Sequence, residues 1–430
     1  MERIFRWPQA LAILLLVYMP FHVFLSQWLS TYTEYLDVWK IWKDLLLALA
    51  VLLVLILVYI KRGFKDRLFW VFTGVSAVYF AIHIILWQAH PENAYETTLL
   101  ATAYNCRLFG YAILGWGAGV LIKKHLDIKK IFKLAIIVSS IVCILGVLQL
   151  VLPQDFLSHF GYGDARGAKS FFFIDNKPEL RRVMSTIREP NSLGAYLILP
   201  ITVLVGAWLK KPRIRMLLSG LLLLHGLALF LTFSRSAWVG TFLSVALMIF
   251  WLYKDRVLNF IKKYWAFLLA GLVVIALGAF LLRDQYFVQN VLFHSDENTV
   301  LEKDSNERHV DLLVESSKSV AQMPFGHGPG TAGPVSVHTA DKVIPENYFV
   351  QIAYEIGVFG LALLIAIVAF VATQLYRIND FYSKALLAAF VGITFCNLLL
   401  HTWANEAVAA QWWLLAGFAI SAGLTGQKRT

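Results

Sequence analysis

Long apolar runs alternate with short polar gaps along almost the whole chain, and each run has the length of a bilayer crossing. Twelve can be marked, at approximately 8–29, 42–60, 68–87, 98–122, 131–152, 192–209, 214–232, 237–253, 264–282, 348–376, 382–401 and 406–425. Each is near the roughly 20 residues that an α-helix needs to cross about 30 Å of hydrocarbon. The pattern predicts an all-α integral membrane protein of about twelve transmembrane helices, organised as one polytopic domain over residues 1–430.

The gaps divide by charge. Those at Lys61–Arg67 (KRGFKDR), Lys123–Lys130 (KKHLDIKK), Lys210–Arg215 (KKPRIR) and Lys254–Lys263 (KDRVLNFIKK), with Lys428 and Arg429 in the tail, are alternate gaps, and all are basic. Positive residues mark the cytoplasmic side, so both termini are expected inside. The gap at Gln88–Thr97 carries no Lys or Arg, and the long gaps at 153–191 and 283–346 are mixed in charge. These face outward, and function should concentrate in the two long loops, because lipid-exposed irregular backbone leaves polar groups unsatisfied. Phe171, Phe172 and Phe173 in the first of them suit either a short amphipathic element in the interface or a plain hydrophobic cluster. Met1 to Arg6 is basic and precedes an apolar stretch, as in a signal peptide. The stretch from Trp7 to Leu29 is too long for one and lacks a small-residue cleavage pattern, so it reads as a retained first helix.

Composition agrees with the membrane class: 59% of the 430 residues are hydrophobic and only 15% charged, against about 25% charged in a soluble domain. A net charge of +11 could suggest nucleic acid, but the basic residues sit in small clusters beside apolar spans, where they act as topology signals rather than a binding stripe. Cys106, Cys143 and Cys396 lie in apolar segments with no CxxC pattern, which argues against disulfides and thiolate metal sites. Arg107 lies inside the fourth apolar segment. A central charge there costs about 2.5–3.5 kcal/mol on insertion scales, so it should face a polar interior.

Four groups of residues on the expected outer face could carry chemistry. Arg181-Arg182-Val183-Met184-Ser185-Thr186-Ile187-Arg188-Glu189-Pro190-Asn191 runs into the sixth apolar segment as SLGAYL, and Thr232-Phe233-Ser234-Arg235-Ser236-Ala237 joins the seventh and eighth. The second long loop carries Ser305-Asn306-Glu307-Arg308, a helical stretch to Met323, and the glycine-rich Pro324-Phe325-Gly326-His327-Gly328-Pro329-Gly330. Last comes Pro345-Glu346-Asn347-Tyr348-Phe349-Val350-Gln351 with Glu355-Ile356-Gly357-Val358-Phe359-Gly360. In this order the set resembles the O-antigen ligase/polymerase family. Its motif matches span residues 181–360, and the helix layout extends the likeness over the chain.

The resemblance implies a GT-C-like glycosyltransferase of the bacterial inner membrane. Such an enzyme moves an undecaprenyl-diphosphate-linked oligosaccharide to an acceptor hydroxyl on a glycan or glycolipid, with inversion. Arg235 and Arg308 match the positions of the family's two diphosphate-binding arginines. Preorganised guanidinium groups stabilise the negative charge that grows on a departing diphosphate through bidentate hydrogen bonds; the competing reading of Arg235 is snorkelling toward headgroups, and that of Arg308 a solvated loop charge. Glu346 stands where the ligase branch carries a catalytic His, so the chain departs from the ligase pattern. A glutamate can serve as general base within hydrogen-bond reach of the acceptor hydroxyl; otherwise Glu346 is a helix first-turn carboxylate favoured by the dipole.

Arg182, Arg188, Asn191 and Asn347 are further substrate-binding candidates, although arginines flanking an apolar helix are often anchors. His327 and His338 are alternative bases. No Asp-x-Asp pair occurs in either outward loop, so a metal-independent site is expected, with arginine in the cation's role and no cofactor. Expected partners are the lipid-linked donor, the acceptor glycan and the bilayer, without nucleic acid. A transporter is the main competing class, against which stand the large glycine-containing outer loop and little sign of broken helices. Ligase and polymerase are not separable in the sequence.

Overall fold

The computed structural model describes residues 4–122, 126–174, 177–282, 305–338 and 342–426. It is all-α within the membrane. In chain order the helices are α1 (Trp7–Tyr18), α2 (His22–Thr33), α3 (Leu36–Arg62), α4 (Arg67–Ala89), α5 (Tyr95–Ile122) and α6 (Ile128–Leu148). Then follow α7 (Pro190–Lys210), α8 (Arg215–Leu231), α9 (Arg235–Leu252), α10 (Lys254–Leu281), α11 (Ser305–Gln322), α12 (Tyr348–Ile378), α13 (Phe381–Asn397) and α14 (Glu406–Gly426). Among the described residues, ten helical spans are long and apolar enough to cross a membrane, the first running through α1 and α2 together. Of the other two expected segments, α13 is an apolar helix of 17 residues, and α10 is a helix of 28 residues kinked at Tyr264.

Burial separates a centre from a rim. The hydrophobic windows of α5, α7 and α14 are 89%, 83% and 83% buried, whereas those of α4, α8 and α9 are 28%, 22% and 28% buried. A helix apolar all round belongs in a core or against lipid, and these two groups occupy those two places. Helices in lipid gain no hydrophobic energy by pairing, so close approach through small residues holds them. A Cβ on Gly417 would stand 2.5 Å from the Ala112 carbonyl, and one on Gly115 would run into the Leu414 carbonyl, which fixes the α5–α14 crossing. Gly240 and Gly392 do the same between α9 and α13.

α12 is broken. Ile356 and Gly357 have non-helical backbone, with Gly357 at φ 75°, which only glycine adopts cheaply. The glycine-rich loop supplies the missing partners: Val358 N–H donates to the Pro324 carbonyl (2.9 Å), His327 N–H to Tyr354 (2.9 Å) and Gly328 N–H to Glu355 (3.0 Å). A buried backbone group left unpaired costs about 1–3 kcal/mol, so break and loop stabilise each other. The sequence shows little sign of a broken helix; the structure contains one, because the break depends on a docked loop rather than on a local proline.

The first outward loop folds as an antiparallel hairpin of β1 (Phe172–Ile174) and β2 (Lys177–Arg182), pairing Phe172 with Arg182 and Phe173 with Arg181. Phe172 packs beside a small cluster of Leu157, Tyr162, Ala168 and Met184, so the aromatic run is a strand and a hydrophobic cluster rather than an amphipathic helix. Residues after β2 plug the bundle end: Ser185 N–H donates to Gln149 Oε1 (2.8 Å), Ser185 Oγ to the Val142 carbonyl (2.6 Å) and Thr186 Oγ1 to the Pro20 carbonyl (2.7 Å).

Candidate functional site

The ends of several of these helices and the connections between them enclose a cavity of about 890 Å³. Its lining comes from stretches far apart in sequence. Arg182 enters from β2, Arg188, Glu189 and Asn191 from the start of α7, Phe233 and Arg235 from the α8–α9 turn, and Glu346 from the approach to α12. The α13–α14 connection adds Leu398 to Thr402 and Ala404 to Glu406 to the lining.

β2 places Arg182 by docking on α8, where Val183 N–H donates to the Leu231 carbonyl at 2.9 Å. The guanidinium then donates through Nε to the Thr232 carbonyl (2.9 Å) and through Nη2 to Asn191 Oδ1 (2.7 Å). Arg182 thus ties the α8–α9 turn to α7. Burial pushes its pKa down to about 10, with Glu189 opposing and Arg235 adding to the shift; it stays cationic at neutral pH. Arg235 is the first residue of α9, where a cation opposes the helix dipole. The α7 and α9 N-termini also lack side-chain capping bonds, and Asn191, Ser192 and Ser236 of their first turns line the cavity. Three guanidinium groups and three carboxylates, Glu189, Glu346 and Glu406, line the cavity, and the arginines come from stretches at or beside the N-termini of α7 and α9. Amide groups and dipoles there favour an anion.

Glu346 is half-buried and held at φ 53°, a left-handed conformation rare for a residue with a side chain. Phe233, also lining the cavity, lies at φ 49°. Such strain clusters at functional sites. Both Arg235 and Glu346 hold partners within the chain. Asn347 caps α12: its Oδ1 accepts from Phe349 N–H (2.9 Å) and Val350 N–H (3.1 Å), and its Nδ2 donates to the Leu398 carbonyl (3.0 Å). Asn347 thereby places Glu346 against the α13–α14 connection.

His327 lies away from the residues lining this cavity. Its ring stacks on Tyr354 with centroids 4.0 Å apart, Nδ1 is 3.2 Å from the Tyr354 carbonyl, and Nε2 is 3.1 Å from Ser319 Oγ. It braces α11 against α12, and burial lowers its pKa. Arg308 sits on α11 and His338 ends a 3-10 turn at Gly333–His338; both side chains lie outside the described residues.

Sequence reasoning passed over several cavity residues. Tyr104, His401 and Glu406 line the cavity, and the only sequence signals were a lone acid opening the last apolar segment and a His in a connection too short to read as a site. Arg107 does face a polar interior. Its Nη1 is 3.8 Å from Asp44 and its Nη2 3.7 Å from Glu406, it donates to the Ala404 carbonyl, and it lies 4.2 Å over the Tyr104 ring. Among the described residues, no three His, Cys, Asp or Glu side chains converge as metal ligands.

With that geometry in view, the comparisons are consistent. The family described as O-antigen ligase matches residues 218–365, which include Arg235, Arg308, Glu346 and the broken helix. An O-antigen polymerase of Salmonella muenchen is 21% identical over 279 residues, 64% of this chain. The chain spans 65% of that relative's length. The matched segment and the named relative agree with the order of the motifs: this multi-pass membrane protein is similar to the O-antigen ligase/polymerase family.

Proposed function

We propose that the cavity is the transfer site of a membrane glycosyltransferase, acting on an undecaprenyl-diphosphate-linked glycan at the extracytoplasmic face with both termini in the cytoplasm. One observation carries this reading: Arg182, Arg188 and Arg235 meet Glu346 in a single cavity although they come from three separate connections. The arginines and helix N-termini hold the diphosphate and stabilise the charge that grows on it as the glycosidic bond breaks. Glu346 takes the proton of the acceptor hydroxyl as that oxygen attacks the anomeric carbon from the opposite face, which inverts its configuration. Guanidinium groups fill the place a divalent cation takes in many sugar transfers, so the reaction is metal-independent.

Two features favour polymerase over ligase: Glu in place of His at position 346, and a relative named as a polymerase. The direct test is purified chain in proteoliposomes with an undecaprenyl-diphosphate-linked repeat unit. Longer lipid-linked glycan should appear, and excess EDTA should leave its rate unchanged. No product, or product restored only by magnesium or manganese, overturns the proposal. Cysteine introduced at Ser158 should react with a membrane-impermeant thiol reagent in intact spheroplasts; protection there would invert the orientation.

A further inference from the structure

The cavity has a second wall whose chemistry is unlike the first. It is the α13–α14 connection, and it is rigid. Trp403 is buried among Phe390, Trp412 and Trp413, its N–H donates to Asn397 Oδ1 at 3.0 Å, and Arg107 holds the Ala404 carbonyl. Asn405 Oδ1 caps α14 by accepting from Ala407 N–H (3.0 Å) and Val408 N–H (3.3 Å). On this fixed turn His401 Nε2 is buried with no hydrogen-bond partner among the described residues. Burial pushes the His401 pKa down to about 4, so the ring is neutral at physiological pH. Glu406 has Oε2 3.7 Å from Arg107 Nη2 and Oε1 3.9 Å from His22 Nε2. Both separations exceed a hydrogen bond; the carboxylate accepts from its own backbone N–H, which leaves further acceptor sites on its two oxygens.

An orphaned buried polar atom destabilises the fold unless a ligand satisfies it. None of the three guanidinium groups that line the cavity belongs to this turn, whose polar side chains are His401, Thr402, Asn405 and Glu406, so it offers a diphosphate no cation of its own. A polyol suits it: hydroxyls donate to a carboxylate and to an unprotonated imidazole nitrogen, and their oxygens accept in turn. The wall also adjoins Glu346, because Asn347 Nδ2 donates to Leu398 at its start (3.0 Å). The hydroxyl that loses its proton to Glu346 must therefore belong to a sugar lying along this turn.

We infer that the α13–α14 connection is the acceptor-sugar subsite, in which His401 Nε2 and the Glu406 carboxylate hydrogen-bond hydroxyls of a neutral saccharide, while the diphosphate occupies the arginine wall. The inference rests on reading the cavity as the transfer site. Two probes separate the walls in the purified full chain, followed by tryptophan fluorescence: farnesyl diphosphate, which has no sugar, and the oligosaccharide released by mild acid from the surface polysaccharide of the producing cells, which has no diphosphate. His401→Ala and Glu406→Gln should each weaken oligosaccharide binding about tenfold or more and leave farnesyl diphosphate binding within about twofold. Arg235→Ala should do the reverse. Saturating farnesyl diphosphate should not displace the oligosaccharide. Competition between the probes, unchanged oligosaccharide binding in both wall variants, or no oligosaccharide binding by the native chain overturns the subsite. Farnesyl diphosphate binding that ignores Arg235→Ala instead removes the transfer-site reading itself.

Discussion

The loop docked on the break in α12 and the arginine-lined cavity carry neighbouring parts of one motif series, yet they treat their polar groups in opposite ways. In the docked loop the groups that hold the break are paired. Glu355 is fully buried, and its carboxylate accepts from Asn105 Nδ2 (2.8 Å) and Gly330 N–H (3.0 Å), while the opened helical turn is closed by loop backbone. In the cavity Arg188 is exposed, Glu346 and Phe233 are strained, and His401 Nε2 is orphaned. Matched groups hold a shape and unmatched ones await a ligand. Residues of a shared motif therefore sort by their hydrogen-bond partners, not by their place in the motif.

The largest effect expected from that division is at Glu346. Glu346→Gln keeps size and most hydrogen bonding but removes the base, so transfer should slow by about 10²–10⁴-fold with the melting temperature unchanged. Normal turnover in this variant, with His327→Ala dead, would move the base to the docked loop and erase the contrast. Gly357→Ala should act the other way. It forces a side chain onto φ 75° with its Cβ 2.6 Å from the Pro324 and Phe325 backbone, which costs about 1–3 kcal/mol in strain alone. Thermal unfolding in detergent should shift down, and activity should fall only with the folded fraction. Arg235→Lys is expected to lose about tenfold to a hundredfold in transfer rate, because an ammonium cannot reproduce the two-donor fork. Its unfolding curve should overlay the native one; a lowered melting temperature would make Arg235 an anchor.

Helix positions were legible because hydropathy over about 20 residues needs no tertiary information, and the ten strongest spans fall where the apolar runs lie. The arginine wall was partly legible, since Arg182, Arg188 and Arg235 flank apolar segments in gaps expected on one side of the membrane. The break in α12 was not: Gly357 sits inside an uninterrupted apolar run, and its conformation depends on Pro324 and Phe325 more than thirty residues earlier. The β1–β2 hairpin escaped for a similar reason, since its register follows from docking on α8 rather than from alternation along six residues of β2. The second wall was hidden most fully. His401 and Glu406 belong to a connection that reads as a short turn, and only the packing of Trp403 and the reach of Arg107 turn it toward Glu346.

The smallest expected effect is a pH dependence at that second wall. His401 ionises in the unfolded chain near its ordinary 6.5 and in the folded protein at about 4. Between those values the unfolded state binds a proton that the folded state does not, so stability rises with pH across the window. The contribution is complete above about pH 6.5 and is lost as the pH falls toward 4. His401→Gln removes the titration while keeping a polar side chain, so the fall in melting temperature between pH 6.5 and pH 4 should be shallower than in the native chain. The difference should be on the order of 1 kcal/mol, reduced by the partial exposure of the ring. Other histidines keep their own acid sensitivity, so the slope shrinks rather than vanishes. Curves of equal slope would mean that His401 gains a proton as easily folded as unfolded, and the α13–α14 connection would then be cationic in acid.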